Sequence, residues 1–67
     1  MSTIQYLGFD VNGRECEIFL GDAFETHLPS RNRIVVNTPR GEQEAAPGDL
    51  LISNPAGCWV ADPKDGL

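Results

Sequence analysis

Apolar and polar positions alternate over short stretches of this chain, and turn dipeptides separate the stretches at close intervals. Short alternating runs between turn signals are typical of strands. The predicted strands cover residues 3–9, 14–20, 33–38, 42–46, 49–53 and 58–61. The pattern therefore predicts a mainly β fold, either a small antiparallel sheet or an SH3-like barrel of five or six short strands.

Two local signals set the predicted connections. Asn12-Gly13 is a strong hairpin signal, because both residues tolerate positive φ, and it predicts pairing of the first two strands. Alternation along the second strand then turns Cys16 inward. One short helical turn is predicted near residues 22–28, where Asp22 can cap a helix and Glu25 follows at the spacing of a capping box.

The stretch IVVNTPRGEQEAAPGDLLISNPAGCWVADP resembles the C-terminal half of a family of small uncharacterised bacteriophage proteins. Their shared pattern is a strand, a Thr-x-x-Gly-Glu-like turn, Pro-Gly-Asp, a few bulky residues, a glycine turn and an aromatic-containing strand. This chain departs from it at Leu50, where relatives typically carry Trp, and it lacks their longer aromatic tail. The resemblance implies a phage origin and no particular activity.

Composition limits the size and the class of the protein. A chain of 67 residues with 40% hydrophobic residues is expected to form a single globular domain over residues 1–67. So short a chain buries only about 60% of the surface that its unfolded form exposes. A thin core and open sheet edges favour self-association, so a homo-oligomer is expected.

Ten acidic side chains against five basic ones give a formal net charge of -5. This excess disfavours direct nucleic-acid binding and anionic membranes, and it favours a host or phage protein with a basic surface as partner. The apolar runs, such as residues 34–36, are far too short to span a bilayer. Without a secretory signal at the N-terminus, the expected location is the cytoplasm of the host cell.

The residues proposed to bind a partner are Trp59 and four glutamates. Trp59 either faces outward as an interface residue or forms the main aromatic of the core. Spacing of two within a strand puts two glutamates on one face, which predicts two carboxylate rows able to steer a basic partner. The alternative is that they only form the solvated side of the sheet. The four glutamates are Glu15, Glu17, Glu42 and Glu44.

Catalytic and metal chemistry find little support in the sequence, so the protein is not expected to be an enzyme or to hold a metal or cofactor. Cys58 with the single histidine, His27, is the only nucleophile and base pair, and no motif unites them. Cys16 and Cys58 are expected to be buried thiols rather than a disulfide. His27, Arg31 and Arg33 either bind an anion or neutralise nearby carboxylates.

Three hypotheses of function follow. The first is a small acidic phage-type interaction module, which would inhibit a host nucleic-acid-handling or defence complex by occupying its basic groove. The second is a minor structural protein of the virion or its assembly. The third is a module that binds a nucleotide or a small anionic ligand through the basic residues near position 30.

Overall fold

The structure is a computed structural model that describes residues 1–62. It contains one α-helix, α1 (Phe9–Leu20), and two short 3-10 helices, Gly21–Ala23 and Pro29–Arg31. The fold is mainly β with one short helix, which confirms the predicted fold class. The strands are β1 (Ser2–Gln5), β2 (Phe24–Leu28), β3 (Arg33–Thr38), β4 (Gly41–Ala45), β5 (Leu50–Asn54) and β6 (Gly57–Ala61).

The strands form two antiparallel sheets of three strands each. The first sheet has the order β1-β5-β6, and the second has the order β2-β3-β4. In the first sheet Ile52 lies opposite both Thr3 and Trp59, and in the second Val35 lies opposite Glu44. The sheets meet where β6 packs against β3.

The core lies between the two sheets and α1. Tyr6 is fully buried, and its hydroxyl donates a hydrogen bond to the backbone oxygen of Asn32 at 3.0 Å. Both cysteines are buried free thiols, as the sequence predicts. The buried cluster consists of Tyr6, Cys16, Leu20, Ile34, Val36, Ala45, Leu51 and Cys58.

The strand predicted over residues 14–20 is wrong, because this segment belongs to α1. Its buried residues are Gly13, Cys16 and Leu20, at the spacing of three and four that one helix face requires. Ile18, which strand alternation turns inward beside Cys16, is 74% exposed. The apolar residues of this short segment fit both the two-residue period of a strand and the 3.6-residue period of a helix. Packing against the two sheets selects the helix.

The hairpin predicted at Asn12-Gly13 is also absent, because Asn12 is a kink inside α1 with φ -143° and ψ 27°. Its side chain accepts a hydrogen bond from the Leu7 N–H at 2.9 Å and donates one to the Gln5 carbonyl oxygen at 2.7 Å. These bonds satisfy local backbone groups without reversing the chain.

The helical turn predicted near residues 22–28 is misplaced. Only the 3-10 helix Gly21–Ala23 occupies its start, and β2 occupies the rest. Asp22 begins this segment, but no side-chain hydrogen bond caps the short helix. Phe24 pairs with Val36 and His27 with Ile34, so β2 is held by the sheet it completes.

Candidate functional site

Trp59 lies on the side of β6 that faces away from the core. Its neighbour Cys58 is 8% exposed and belongs to the core cluster, so strand alternation turns Trp59 to the opposite side. Trp59 is half-buried and is not part of that cluster. The buried aromatic of the core is Tyr6, and Trp59 is free to form part of a surface.

The side of the first sheet that carries Trp59 is called here the outer face. The register aligns its residues in two cross-strand rows, the first of Thr3, Ile52 and Trp59, and the second of Gln5, Leu50 and Ala61. None of these six residues is charged. In an acidic chain, the outer face is therefore an uncharged surface with an apolar centre.

The turn between β3 and β4 borders this face. A Cβ atom placed on Gly57 would lie 2.9 Å from Cγ of Pro39 and 4.0 Å from Cη2 of Trp59. Gly57 also has φ 144°, which other residues rarely adopt. Glycine at this position therefore lets Pro39 approach the backbone of β6 close to the indole ring.

An acidic cleft of about 420 Å³ adjoins the end of the outer face where Leu50 pairs with Ala61. Asp49 accepts a hydrogen bond from the Ala46 N–H at 3.0 Å, which leaves its second carboxylate oxygen for other contacts. The cleft adds negative charge to a surface that has none of its own. It is lined by Gln43, Glu44, Asp49, Val60, Ala61 and Asp62.

The four predicted glutamates occupy two different surfaces. Glu42 and Glu44 do share one side of β4, as predicted. Glu15 and Glu17 are on α1, where residues two apart differ by about 200° in direction, so the argument from strand spacing is wrong for them. The structure therefore does not form the paired rows.

The three residues predicted to bind an anion are not gathered at one point. Arg31 and Arg33 both pair with Glu44, at 3.5 and 3.6 Å, which is the neutralising role left open by the sequence. The His27 ring stacks on the Phe9 ring with centroids 3.6 Å apart and planes 9° apart. His27 pairs with the buried Ile34. Arg33 directly precedes Ile34 in β3, so its side chain lies on the other side of that strand.

No metal site is present among residues 1–62, and the Cys16 thiol is not activated. No group of three or more His, Cys, Asp or Glu side chains in this range is placed to hold a metal ion. Burial, with a smaller contribution from the charge of Glu15, raises the pKa of the Cys16 thiol. Cys16 is therefore less ready than a free cysteine to form the nucleophilic thiolate. Among the described helices, none has the length and apolar character needed to cross a membrane.

The sequence did not identify two exposed apolar residues on α1. Val11 is 67% exposed and Ile18 is 74% exposed, and they lie on the two sides of the Asn12 kink in α1. The exposure of Ile18 can be expected from the sequence only if residues 13–20 are interpreted as a helix. The strand interpretation placed Ile18 with the inward residues and so concealed it.

The fold and the outer face define a small, mainly β protein with a candidate protein-binding surface. The chain matches no protein family, and comparison with curated proteins and with solved structures yields no match. The resemblance to small phage proteins is therefore untested and stays a prediction.

Proposed function

We propose that this protein is a small acidic interaction module that binds a protein with a basic surface through the outer face. The observation that carries the proposal is the position of Trp59, half-buried and directed away from the core. Tryptophan is enriched among the residues that dominate binding energy, because it buries a large rigid surface and keeps one N–H donor.

The charge distribution supports a basic partner. The outer face itself is uncharged, and the acidic cleft lies at its end. Arg31 and Arg33 pair with Glu44 there, so Asp49 and Asp62 supply the other carboxylates of the cleft. An apolar centre with a charged rim is the usual composition of a protein interface. The rim carboxylates would attract the partner and set its orientation, while the apolar centre would supply most of the affinity.

The size of the outer face indicates that more than this face is used. Three strands about 4.8 Å apart and about five residues long give a flat area of roughly 230 Å². A stable interface commonly buries about 800 Å² on each partner. The partner therefore extends over neighbouring surfaces, and the acidic cleft is the nearest one.

The biological role that fits this chemistry is inhibition of a host complex that handles nucleic acid or acts in defence. Such complexes present basic grooves for phosphate backbones, and an acidic protein can occupy them in place of the nucleic acid. The net charge of -5 and the resemblance to phage proteins support this role.

The test replaces Trp59 by Ala and measures both folding and capture of a host protein. We expect Trp59→Ala to abolish capture while the chain stays folded, because the side chain is outside the core cluster. Thr26→Ala, at an exposed position on the second sheet, is the matched control and should capture the same protein as the wild type.

A partner that fits the proposal binds more weakly as salt concentration rises, because screening removes the attraction of the acidic rim. Two results would overturn it. One is a Trp59→Ala chain that captures the partner as well as the wild type does. The other is a Trp59→Ala chain whose free energy of unfolding falls by the ~3–5 kcal/mol expected for the loss of a core aromatic. That result would make Trp59 a structural residue.

A further inference from the structure

The solvent side of α1 has the composition of a second binding surface. Val11 and Ile18 are the two large apolar side chains of the helix that are most exposed, at 67% and 74%. Burial of Cys16 and Leu20 fixes the opposite side of the helix against the core. These side chains keep most of their surface in water after folding, so covering that surface with a partner would be favourable.

A shallow groove of about 560 Å³ lies beside Ile18. Phe9 and Ile18 form its apolar walls, and Arg14 and Glu17 supply its charged groups. Phe9 is fixed there because its ring stacks on His27. The groove can therefore accept an apolar side chain beside a charged one.

Charge decides what kind of partner this surface suits. Asp10, Glu15 and Glu17 accompany a single cation, Arg14, along the exposed part of the helix. No ion pair within residues 1–62 neutralises these three carboxylates, because both ion pairs there belong to Glu44. A second copy of the chain would bring carboxylates against carboxylates, which is unfavourable.

We propose that the exposed side of α1 binds a protein surface that consists of an apolar strip flanked by lysine or arginine. An apolar side chain of the partner enters the groove between Phe9 and Ile18, and a neighbouring cation contacts Glu17. This surface is separate from the outer face with Trp59, so each proposal can fail without the other.

The test uses a synthetic peptide of leucine and lysine whose order gives an amphipathic helix with a leucine stripe and lysine flanks. Its binding to the full chain is followed through backbone amide shifts in NMR spectra. The control peptide has the same composition in scrambled order, so it carries equal charge without the stripe. We expect saturable binding of the striped peptide, with shifts concentrated at residues 9–18.

Three variants separate the contributions. Ile18→Ser should weaken binding about tenfold, because it removes apolar surface that the partner buries. Glu17→Gln should weaken binding and reduce its dependence on salt. Trp59→Ala should bind the peptide like the wild type, because the outer face is not involved.

Equal binding of the scrambled peptide would overturn the proposal, because charge alone would then explain it. So would shifts centred on the outer face, or an Ile18→Ser chain that binds as tightly as the wild type. Ile18 is 74% exposed, so its replacement is not expected to disturb the fold. If Ile18→Ser nevertheless loses structure, the Glu17→Gln variant tests the proposal. Unchanged binding and unchanged salt dependence in Glu17→Gln would then overturn it.

Discussion

The side chain of Asn12 covers the free edge of the chain at the end of β1. Its amide accepts from the Leu7 N–H at 2.9 Å and donates to the Gln5 carbonyl oxygen at 2.7 Å. A neighbouring parallel strand would bond the same two backbone groups in the same way. The non-helical backbone conformation of Asn12 therefore lets its side-chain amide make the two hydrogen bonds that a neighbouring strand would make.

We predict that Asn12→Ala lowers the free energy of unfolding by about 1 kcal/mol, since two solvent-accessible hydrogen bonds are exchanged for bonds to water. Asn12→Asp should cost more, because it would place a negatively charged oxygen against the Gln5 carbonyl oxygen, and this repulsion should outweigh the bond that it keeps to Leu7. Urea unfolding measures both. Asn37→Ala, at an exposed position on β3, is the control and should change little. Equal stability of all three variants would show that the amide bridge contributes nothing.

Tyr6 makes stability depend on pH in the alkaline range. Burial, helped by the charges of Cys16 and Asp10, raises the pKa of Tyr6 above its ordinary value of 10.0. The folded chain therefore keeps this proton more tightly than the unfolded chain does. Stability from this group is full below pH 10.0 and is lost as pH rises through the folded pKa.

We predict that the tyrosine ionises above its ordinary pKa, and together with loss of folded structure. Tyr6 is the one tyrosine in the chain, so tyrosinate absorbance reports it directly. Circular dichroism over the same titration reports the fold. In Tyr6→Phe the decline due to this group should disappear, while the raised pKa of Cys16 still lowers stability from about pH 9.0 upward. Ionisation near pH 10.0 in a chain that stays folded would contradict the prediction.

At the scale of elements, the start of α1 is attached to β2 through Phe9. Its ring stacks on the His27 ring with centroids 3.6 Å apart, and it also lies close to Gly13. A Cβ atom on Gly13 would lie 2.5 Å from Cδ1 of Phe9, which is too close for any real contact. A side chain at this helix position would therefore require the Phe9 ring to shift away from its stack on His27.

We predict that Gly13→Ala destabilises the protein, although alanine in a helix is ordinarily better than glycine by about 1 kcal/mol. The clash with Phe9 should outweigh that gain. In a His27→Ala background the ring can shift, so the same substitution should cost less, and the difference gives the coupling energy. Urea unfolding of the four chains measures this cycle. A more stable Gly13→Ala chain would show that the ring moves freely.

At the scale of the whole molecule, the strand edges are protected in different ways. Asn12 closes part of the β1 edge, and β2 has an irregular register between Phe24 and Thr26. Glu42 and Glu44 place charges along β4. Charges, irregular register and local covering are the means by which native sheets avoid pairing with other chains. They weaken one of the two reasons for expecting self-association, and the thin core remains as the other.

Self-association of the chain stays a prediction, and sedimentation velocity over a range of concentrations tests it. We expect Asn12→Ala to associate more strongly than the wild type, because it uncovers backbone groups of β1. Asn37→Ala should behave like the wild type. A wild-type chain that stays monomeric at high micromolar concentration contradicts the argument from the thin core. Equal association of Asn12→Ala and the wild type contradicts the argument from edges.

The sequence by itself determined the fold class and the later strands. Residues 33–38 form a strand with the predicted bounds, and the three strands that follow shift by one residue at most from prediction. Their signals are local, because turn residues on both sides and β-branched residues within each run favour one structure. Alternation also put Cys58 and Trp59 on opposite faces of their strand, but it left open whether Trp59 is an interface residue or a core residue, and the burial of Cys58 decided this.

Only the tertiary structure decided residues 9–28. There a helix stands where a strand was predicted, and a strand stands where a helical turn was predicted. Asn12-Gly13 can form a turn or a kink, and the contacts of the Asn12 amide with Gln5 and Leu7 select the kink. The direction of Ile18, and with it the exposed side of α1, followed from that choice. Short segments with mixed periodicity are settled by the surfaces they bury, and those surfaces are formed by residues distant in the sequence.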